Sequence, residues 1–178
     1  MSNTIQWQLE PRHSYLEFEI RHLYITYVKG MFRKFDATVT SNGTDFNEAV
    51  VTANIDIASV FTNDDERDAH LRGADFFDSD RYPQATFKST DISGSNGKYQ
   101  VKGMLTIKGV TKETTLDVTY HGRNMDLDSH WVGGFSMTAL ISRKDFGLEW
   151  NTTLLAGGGL IGDEVKITAE LEFIEGNQ

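Results

Sequence analysis

The chain has 178 residues, 39% of them apolar, and this composition predicts one globular domain over residues 1–178 with a sizeable core. A formal charge of −9 argues against nucleic-acid binding, which needs a clustered basic face, and the lack of cysteine excludes disulfides and thiolate chemistry. The first residues carry no signal-peptide pattern, and no stretch reaches the ~18 apolar residues of a transmembrane helix. The sequence as written therefore predicts a cytoplasmic protein, or a periplasmic one if this chain is a processed form.

Apolar and polar residues alternate along most of the chain, which is typical of strands with one apolar and one wet face. After a short strand at 5–9, longer strands are predicted at 14–20, 32–40, 51–57, 85–92, 99–107, 116–120, 135–141 and 165–173. Turns are predicted at 41–43, 94–97, Gly109, Gly122 and 157–162. The chain is therefore predicted to be all-β, with short connections between most strands.

About eight amphipathic antiparallel strands favour closure into a barrel, because closure removes the exposed edges of an open sheet. A two-sheet sandwich is the alternative. A barrel of this size can be filled by side chains or can hold one small ligand. Small residues at inward positions favour a ligand, since they leave volume in the interior; these are Ala37, Ala53, Gly103, Gly133, Ala139 and Ala169.

The segment from Thr62 to Phe77 breaks the alternation and predicts a short helix between two strands. Thr62 is the expected N-cap, and Gly73 the expected end. Five of its residues fall near one face by i, i+3, i+4 spacing: Arg67, His70, Leu71, Ala74 and Phe77. A helix this short needs a docking surface, and we expect it at the mouth of the barrel, with Phe76 and Phe77 packed beneath it.

Polar residues of this helix also suggest catalysis. Arg67, Asp68 and His70 could perform acid–base chemistry, whereas docking the helix through buried hydrogen bonds is the structural interpretation, and Asp68 could pair with Arg72. We favour docking.

Two other patterns suggest cofactors or metals. Residues 157–162 read GGGLIG, but the dinucleotide motif requires a helix after the glycines and a strand pattern follows here. The five histidines lack the local spacing of metal ligands; they are His13, His22, His70, His121 and His130. We therefore expect neither a cofactor nor a metal.

Several segments, in this order, make the chain resemble the YceI-like family of lipocalin-like bacterial proteins that bind polyisoprenoids and related lipids. They are W-x-L-E-P-x-H-S at Trp7–Ser14, I-R-H at Ile20–His22, V-K-G-M-F-x-x-F-D at Val28–Asp36, R-D-x-H-L-x-x-x-D-F-F at Arg67–Phe77, Y-P at Tyr82–Pro83, L-T-I-K-G-V-T-K at Leu105–Lys112 and R-K-D-F-G at Arg143–Gly147. The resemblance implies an extended eight-stranded antiparallel barrel enclosing an apolar cavity, with no metal and no established catalytic residue. Many family members carry a secretion signal, which this chain lacks.

The resemblance further implies a carrier, store or scavenger of a polyisoprenoid, a prenyl quinone-like molecule or a fatty acyl derivative. By inward alternation, the predicted wall residues are Leu16, Phe18, Ile20, Phe35, Ile55, Phe87, Leu105, Leu116, Phe135, Met137 and Ile141, with Phe146 and Trp150 closing one end. The alternative is an enzyme acting on an isoprenoid or acyl substrate through His22, Arg67, Asp68 and His70. A third hypothesis is an interaction module that uses the acidic surface, and a homodimer is left open.

Overall fold

The computed structural model describes residues 4–176. The elements of this range are, in chain order, β1 (Thr4–Leu9), β2 (Tyr15–His22), β3 (Thr26–Phe32), β4 (Phe35–Asn42), β5 (Asp45–Asp56), β6 (Val60–Phe61), α1 (Asp65–Arg72), β7 (Gln84–Ser95), β8 (Lys98–Ile107), β9 (Val110–Met125), β10 (Trp131–Ser142) and β11 (Ile161–Glu175). Within this range, no helix is long and apolar enough to cross a membrane.

All strands belong to one antiparallel sheet that closes on itself. The ring runs β1-β4-β5-β7-β8-β9-β10-β11 and is closed by pairing of β1 with β11, as in Trp7 opposite Glu175. Inward side chains therefore enclose a single interior instead of a layer between two sheets. The predicted eight-stranded barrel is confirmed, and the sandwich alternative is excluded.

Strands β1 and β2 pair one after the other with the same neighbouring strand, β11. Strand β11 pairs with β1 near its end, through Leu9 opposite Phe173, and with β2 further back, from Tyr15 opposite Glu170 to His22 opposite Ile161. Strands β3 and β6 extend the wall from β2, and the sheet order ends at β6. Helix α1 follows β6 in the chain, so it lies beside the edge of the sheet that β6 forms.

A turn of 3₁₀ helix at Pro11–His13 joins β1 to β2, and Glu10 holds it. The Glu10 carboxylate accepts hydrogen bonds from Arg12 N at 2.9 Å and from Arg12 Nε at 3.0 Å. These bonds favour the ionised carboxylate and lower the pKa of Glu10 to about 2. The hydroxyl of Ser14 donates to the Glu10 carbonyl at 2.7 Å. The turn thus keeps the two short strands in one line.

Strand β3 was not predicted, and the predicted strand at 32–40 is split by a break at Arg33 and Lys34. The inward residues of β3, Val28 and Phe32, follow the alternation, but the inward position between them is Gly30, which hides the apolar pattern. A side chain at Gly30 would collide with Phe18 and with Thr62, at 2.5 and 2.8 Å from the added carbon. Glycine is there because neighbouring side chains fill the space.

Two irregularities shift the inward pattern. Gly122, predicted as a turn, lies inside β9 with φ of 103°, next to a register shift between β9 and β10 at Gly134 and Phe135. A second shift between Ser89 and Asp91 turns Ile92 inward, where it is 6% exposed. Both are β-bulges, which put an extra residue in one strand and change which side chain faces the core.

Aromatic residues close one end of the barrel. Phe46 packs against Phe135 and Trp7, with ring centroids 5.3 and 6.1 Å apart, and Phe135 packs against Phe173 at 5.6 Å. Trp7 is 1% exposed and its indole N–H donates to Ser41 Oγ at 2.9 Å. This end, which carries the β4–β5 and β9–β10 turns, is a filled core.

Candidate functional site: an apolar cavity open at one end

The interior beyond the aromatic end contains a cavity of about 550 Å³. Its wall includes β11 residues from Ile161 to Phe173, about 40 Å along the strand at ~3.4 Å per residue, which is about 30 Å along the barrel axis at the usual tilt of barrel strands. The volume lies in the ~300–1,000 Å³ range of small-molecule sites, and its length suits an extended molecule.

Many inward apolar side chains are only partly buried. Leu116, Met137 and Ile167 occupy inward positions and line the cavity, yet each keeps solvent-accessible area. By contrast Phe135 and Phe173, at the closed end, are 7% and 3% exposed. The middle of the barrel is therefore under-filled by its own side chains, and apolar area is left for a ligand to cover.

The predicted wall residues lie on this cavity, with one exception. Those that line it are Leu16, Phe18, Ile20, Phe35, Ile55, Phe87, Leu105, Leu116, Phe135, Met137, Ile141 and Trp150. Phe146 lies outside the lining: it sits in the 3₁₀ turn Arg143–Phe146, 2% exposed, in the hydrophobic core. Strand periodicity does not apply in such a turn.

Other lining residues were not predicted. On strands that were recognised they include Val39, Val51, Val165 and Leu171, which the same alternation could have supplied; Ala37 and Ala53, which were predicted to face inward, also line the cavity. Val28 and Phe32 were missed because strand β3 was missed. Not every small inward residue leaves space: a side chain at Gly103 or Gly133 would meet the rings of Phe87 or Trp7 instead.

Aromatic and imidazole rings form part of the open end. The ring of His70 packs edge-on against Trp150 and Phe76, with centroid distances of 4.8 and 5.0 Å, and Phe76 and Trp150 are 5.3 Å apart. His70 Nε2 lies 2.9 Å from Asp75 Oδ2. Helix α1 and the chain after β10 thus meet across the mouth of the cavity.

Buried hydrogen bonds hold α1 in place, as the sequence predicted. They are made with Thr62, whereas the pair suggested from the sequence was Asp68 with Arg72. Asp64 is the N-cap, since its carboxylate accepts from Arg67 N at 2.9 Å. Thr62 donates to Asp68 Oδ1 through its backbone N–H at 2.8 Å and its hydroxyl at 2.6 Å. Asp68 is therefore bonded to Thr62 and not to Arg72. Arg67 donates from Nε to the Thr62 hydroxyl and from Nη2 to the Thr62 carbonyl, both at 2.7 Å.

Loss of the Asp68 carboxylate should destabilise the protein strongly. Asp68 is 4% exposed and Thr62 5% exposed, so Asp68→Ala leaves two buried donors of Thr62 without an acceptor. We expect the free energy of unfolding to fall by about 2–3 kcal/mol in urea denaturation. Asp65→Ala, an exposed first-turn residue, is the control and should cost less than about 1 kcal/mol. Equal losses in the two variants would contradict the assigned role of Asp68.

The four polar residues of the enzyme alternative do not all meet in the cavity. His22, Arg67 and His70 line it, whereas Asp68 is not part of the lining. Arg67 and Asp68 are both bound to Thr62, and His70 faces Asp75. Through these contacts Arg67 and Asp68 fix the start of α1 to Thr62.

Arg143 is a buried cation that the sequence identified only as part of a motif. It is 3% exposed, and its guanidinium donates to the Leu148 carbonyl, to the Gly162 carbonyl at 2.7 Å and to the Trp150 carbonyl at 2.9 Å. Burial lowers the pKa of Arg143 below its usual value, and Asp163, 3.5 Å from Nη2, opposes that shift. Arg143 thereby ties the chain between β10 and β11 to the barrel.

The glycine-rich segment at 157–162 belongs to this connection. Gly157 and Gly158 have φ of 88° and 81°, and Ile161 already begins strand β11. No helix start follows the glycines in this described segment, so they form a turn, as predicted.

A small group at the opposite end could in principle hold a cation. Ligand atoms of Asp126, Asp128 and His130 lie within 4.8 Å of one another. However, Asp126 Oδ1 accepts from the backbone N–H groups of Asp128 and His130 at 2.9 and 2.8 Å, and the His130 bond lowers the pKa of Asp126. These contacts describe a hairpin turn between β9 and β10.

The closed barrel, the filled aromatic end and the apolar cavity together define a lipocalin-like barrel. The chain belongs to the YceI-like family, because the model of the YceI-like domain matches residues 7–173. A UPF0312 protein of Staphylococcus aureus strain MSSA476 is 40% identical over 162 residues, covering 90% of this chain and 92% of the relative.

Solved structures share the fold. Burkholderia cenocepacia BcnA matches with a TM-score of 0.79 and 28% identity, over 92% of this chain and 98% of that one. A Campylobacter jejuni YCEI protein matches with a TM-score of 0.74 and 32% identity, over 88% and 90%. A polyisoprenoid binding domain from Saccharophagus degradans has a TM-score of 0.67 and 19% identity, over 96% and 98%, which is a likeness of fold.

Proposed function

We propose that this protein binds one long-chain amphiphilic lipid in the barrel cavity and acts as its carrier, store or scavenger. The observation that carries the proposal is the partial burial of inward apolar residues such as Leu116, Met137 and Ile167. A chain in the cavity would cover this area, and burial of apolar area is favourable by about 25 cal/mol per Å².

The length of the cavity favours a chain over a compact ligand. Each buried CH₂ contributes about 0.8 kcal/mol, so a chain of many such groups binds tightly even after the cost of immobilising it is subtracted. A polyisoprenoid, a prenyl quinone-like molecule and a fatty acyl derivative all meet this requirement. The related fold of a polyisoprenoid binding domain supports the first of these.

The polar groups of the open end suit a headgroup. His22, Arg67 and His70 line the cavity near its mouth, whereas Phe46 and Phe173 lie at the closed end. An amphiphile would therefore enter with its tail towards the aromatic end and leave its headgroup at the mouth. The commitment of Arg67 and Asp68 to Thr62 supports binding without catalysis.

Chain length tests the proposal. The protein is stripped of lipid and titrated with prenyl alcohols of increasing isoprene number. We expect the dissociation constant to fall about tenfold or more for each added isoprene unit and then to level off once the chain fills the cavity. Affinity that does not depend on chain length would overturn the proposal, because it would place the binding energy outside the cavity.

A further inference from the structure

Two connections meet at the mouth of the cavity: the turn between β2 and β3, and the loop between β10 and β11. Leu23 N donates to the Leu160 carbonyl at 2.9 Å, and Gly159 N donates to the Tyr24 hydroxyl at 3.3 Å. The Tyr24 ring also lies against Gly158, where a side chain would come within 2.9 Å of it. The two connections therefore form one surface, which we call the rim.

The rim presents large apolar side chains to solvent. Tyr24 is 61% exposed, Ile25 79%, Tyr27 47% and Leu155 is fully exposed. Leu155 lies in a tight turn closed by Gly157 N donating to the Leu154 carbonyl at 2.9 Å, so its side chain projects from the tip. Contiguous exposed apolar groups of this kind mark interaction surfaces.

The turn between β2 and β3 places bulky residues in a strained backbone conformation. Leu23 and Tyr24 have φ of 53° and 61°, and Ile25 N closes the turn on the His22 carbonyl at 3.2 Å. Such turns favour Asn and Gly, because a bulky residue in the left-handed region costs about 1–2 kcal/mol. Bulky apolar residues at a strained, exposed position indicate a role in binding, because they do not stabilise the fold there.

The two segments that form the rim carry no charged residue of their own, and the charge stacked on the rim is positive: the Arg21 guanidinium lies over the Tyr27 ring, 4.4 Å from its centroid. Neither 22–28 nor 150–162 contains an Asp, Glu, Lys or Arg, in a chain of net charge −9. The opposite end of the barrel also exposes apolar residues, but there Leu127 lies between Asp126 and Asp128. The two ends are far apart, since Ile161 pairs with His22 and Ile174, at the other end of β11, pairs with Val132.

The rim also borders the opening of the cavity. Trp150, Leu160 and Ile161, from the β10–β11 connection and the start of β11, line it together with His22. A surface in contact with the rim would therefore face the cavity mouth directly.

We propose that the rim docks on the surface of an electrically neutral lipid bilayer, with Ile25 and Leu155 inserted among the headgroups. Tyrosine beside aliphatic side chains suits this layer, which is apolar on one side and wet on the other. A rim without acidic residues lets an acidic protein approach such a surface, whereas anionic lipid would repel the rest of the molecule. Docking and lipid binding in the cavity are separate properties, so either can fail alone.

Co-sedimentation with phosphatidylcholine vesicles tests the docking. We expect the wild-type protein to sediment with them, and the double variant Ile25→Asp, Leu155→Asp to lose at least about tenfold in partition coefficient. Leu127→Asp, equally exposed at the other end, is the matched control and should partition as wild type. Replacing part of the phosphatidylcholine by phosphatidylglycerol should weaken binding at low salt.

Three results would overturn the docking proposal: no sedimentation of the wild type, unchanged partition of the double variant, or an equal loss in Leu127→Asp. A wild-type dimer without vesicles that the double variant converts to a monomer would assign the rim to a second copy instead. Thermal unfolding and prenyl alcohol affinity of the double variant should match wild type, which separates this test from that of the proposed function.

Discussion

Replacing Ala53 by phenylalanine should lower lipid affinity by about 100-fold while the barrel remains folded. Ala53 lines the cavity from β5, between Ala37 on β4 and Phe87 on β7, and is only partly buried. A phenyl ring there would occupy the space of about four CH₂ groups of a bound chain, worth about 3 kcal/mol.

Stability should change little in the Ala53→Phe variant. Extra atoms destabilise a core when it is already packed, by about 1–3 kcal/mol, but this position borders empty volume. Val50→Phe is the matched control, since Val50 lies on the same strand and is 47% exposed. We expect that variant to bind lipid as wild type does. Normal prenyl alcohol affinity in Ala53→Phe would contradict the position of the ligand.

Arg143→Met should cause the largest loss of stability, about 3–4 kcal/mol of unfolding free energy. Three carbonyls, of Gly162, Leu148 and Trp150, lose a charged donor, and each such bond contributes about 1.5–3 kcal/mol. The desolvation cost of the buried guanidinium, which the variant no longer has, offsets part of this sum. For a protein of this size the midpoint of thermal unfolding should fall by about 10 °C.

A neighbour supplies the control for Arg143. Lys144 contacts the same acid, with Nζ 3.2 Å from Asp163 Oδ2, but its side chain is half exposed. Lys144→Met should therefore cost less than about 1 kcal/mol, because exposed ion pairs contribute little. If both variants lose the same stability, the contact with Asp163 matters and the three carbonyl bonds do not.

Period-two alternation predicted much of the wall because inward side chains meet a single apolar interior. Leu16, Phe18 and Ile20 on β2, and Phe135, Met137 and Ile141 on β10, all line the cavity. The number of strands favoured closure and the small inward residues favoured a cavity, and the resemblance to the YceI-like family implied both.

Failures occurred where the role of a residue depends on side-chain contacts that the alternation pattern does not encode. Gly30 interrupts the apolar pattern of β3, because Phe18 and Thr62 fill the space beside it, 12 and 32 residues away in the sequence. Thr62 looked like an N-cap, but its hydroxyl is bound to Asp68, and Asp64 takes the cap. Arg143 reaches a carbonyl 19 residues away. The alternation of apolar and polar residues does not report such contacts.

Native mass spectrometry of the purified protein tests the central claim most directly. Spectra are recorded under native conditions and again after denaturation, and the released material is identified. We expect the native mass to exceed the chain mass by one long-chain amphiphile, which denaturation releases, and the lipid-bound fraction to be smaller in Ala53→Phe. A native mass equal to that of the bare chain, with no lipid in an organic extract and no binding of added prenyl alcohols, would contradict the account.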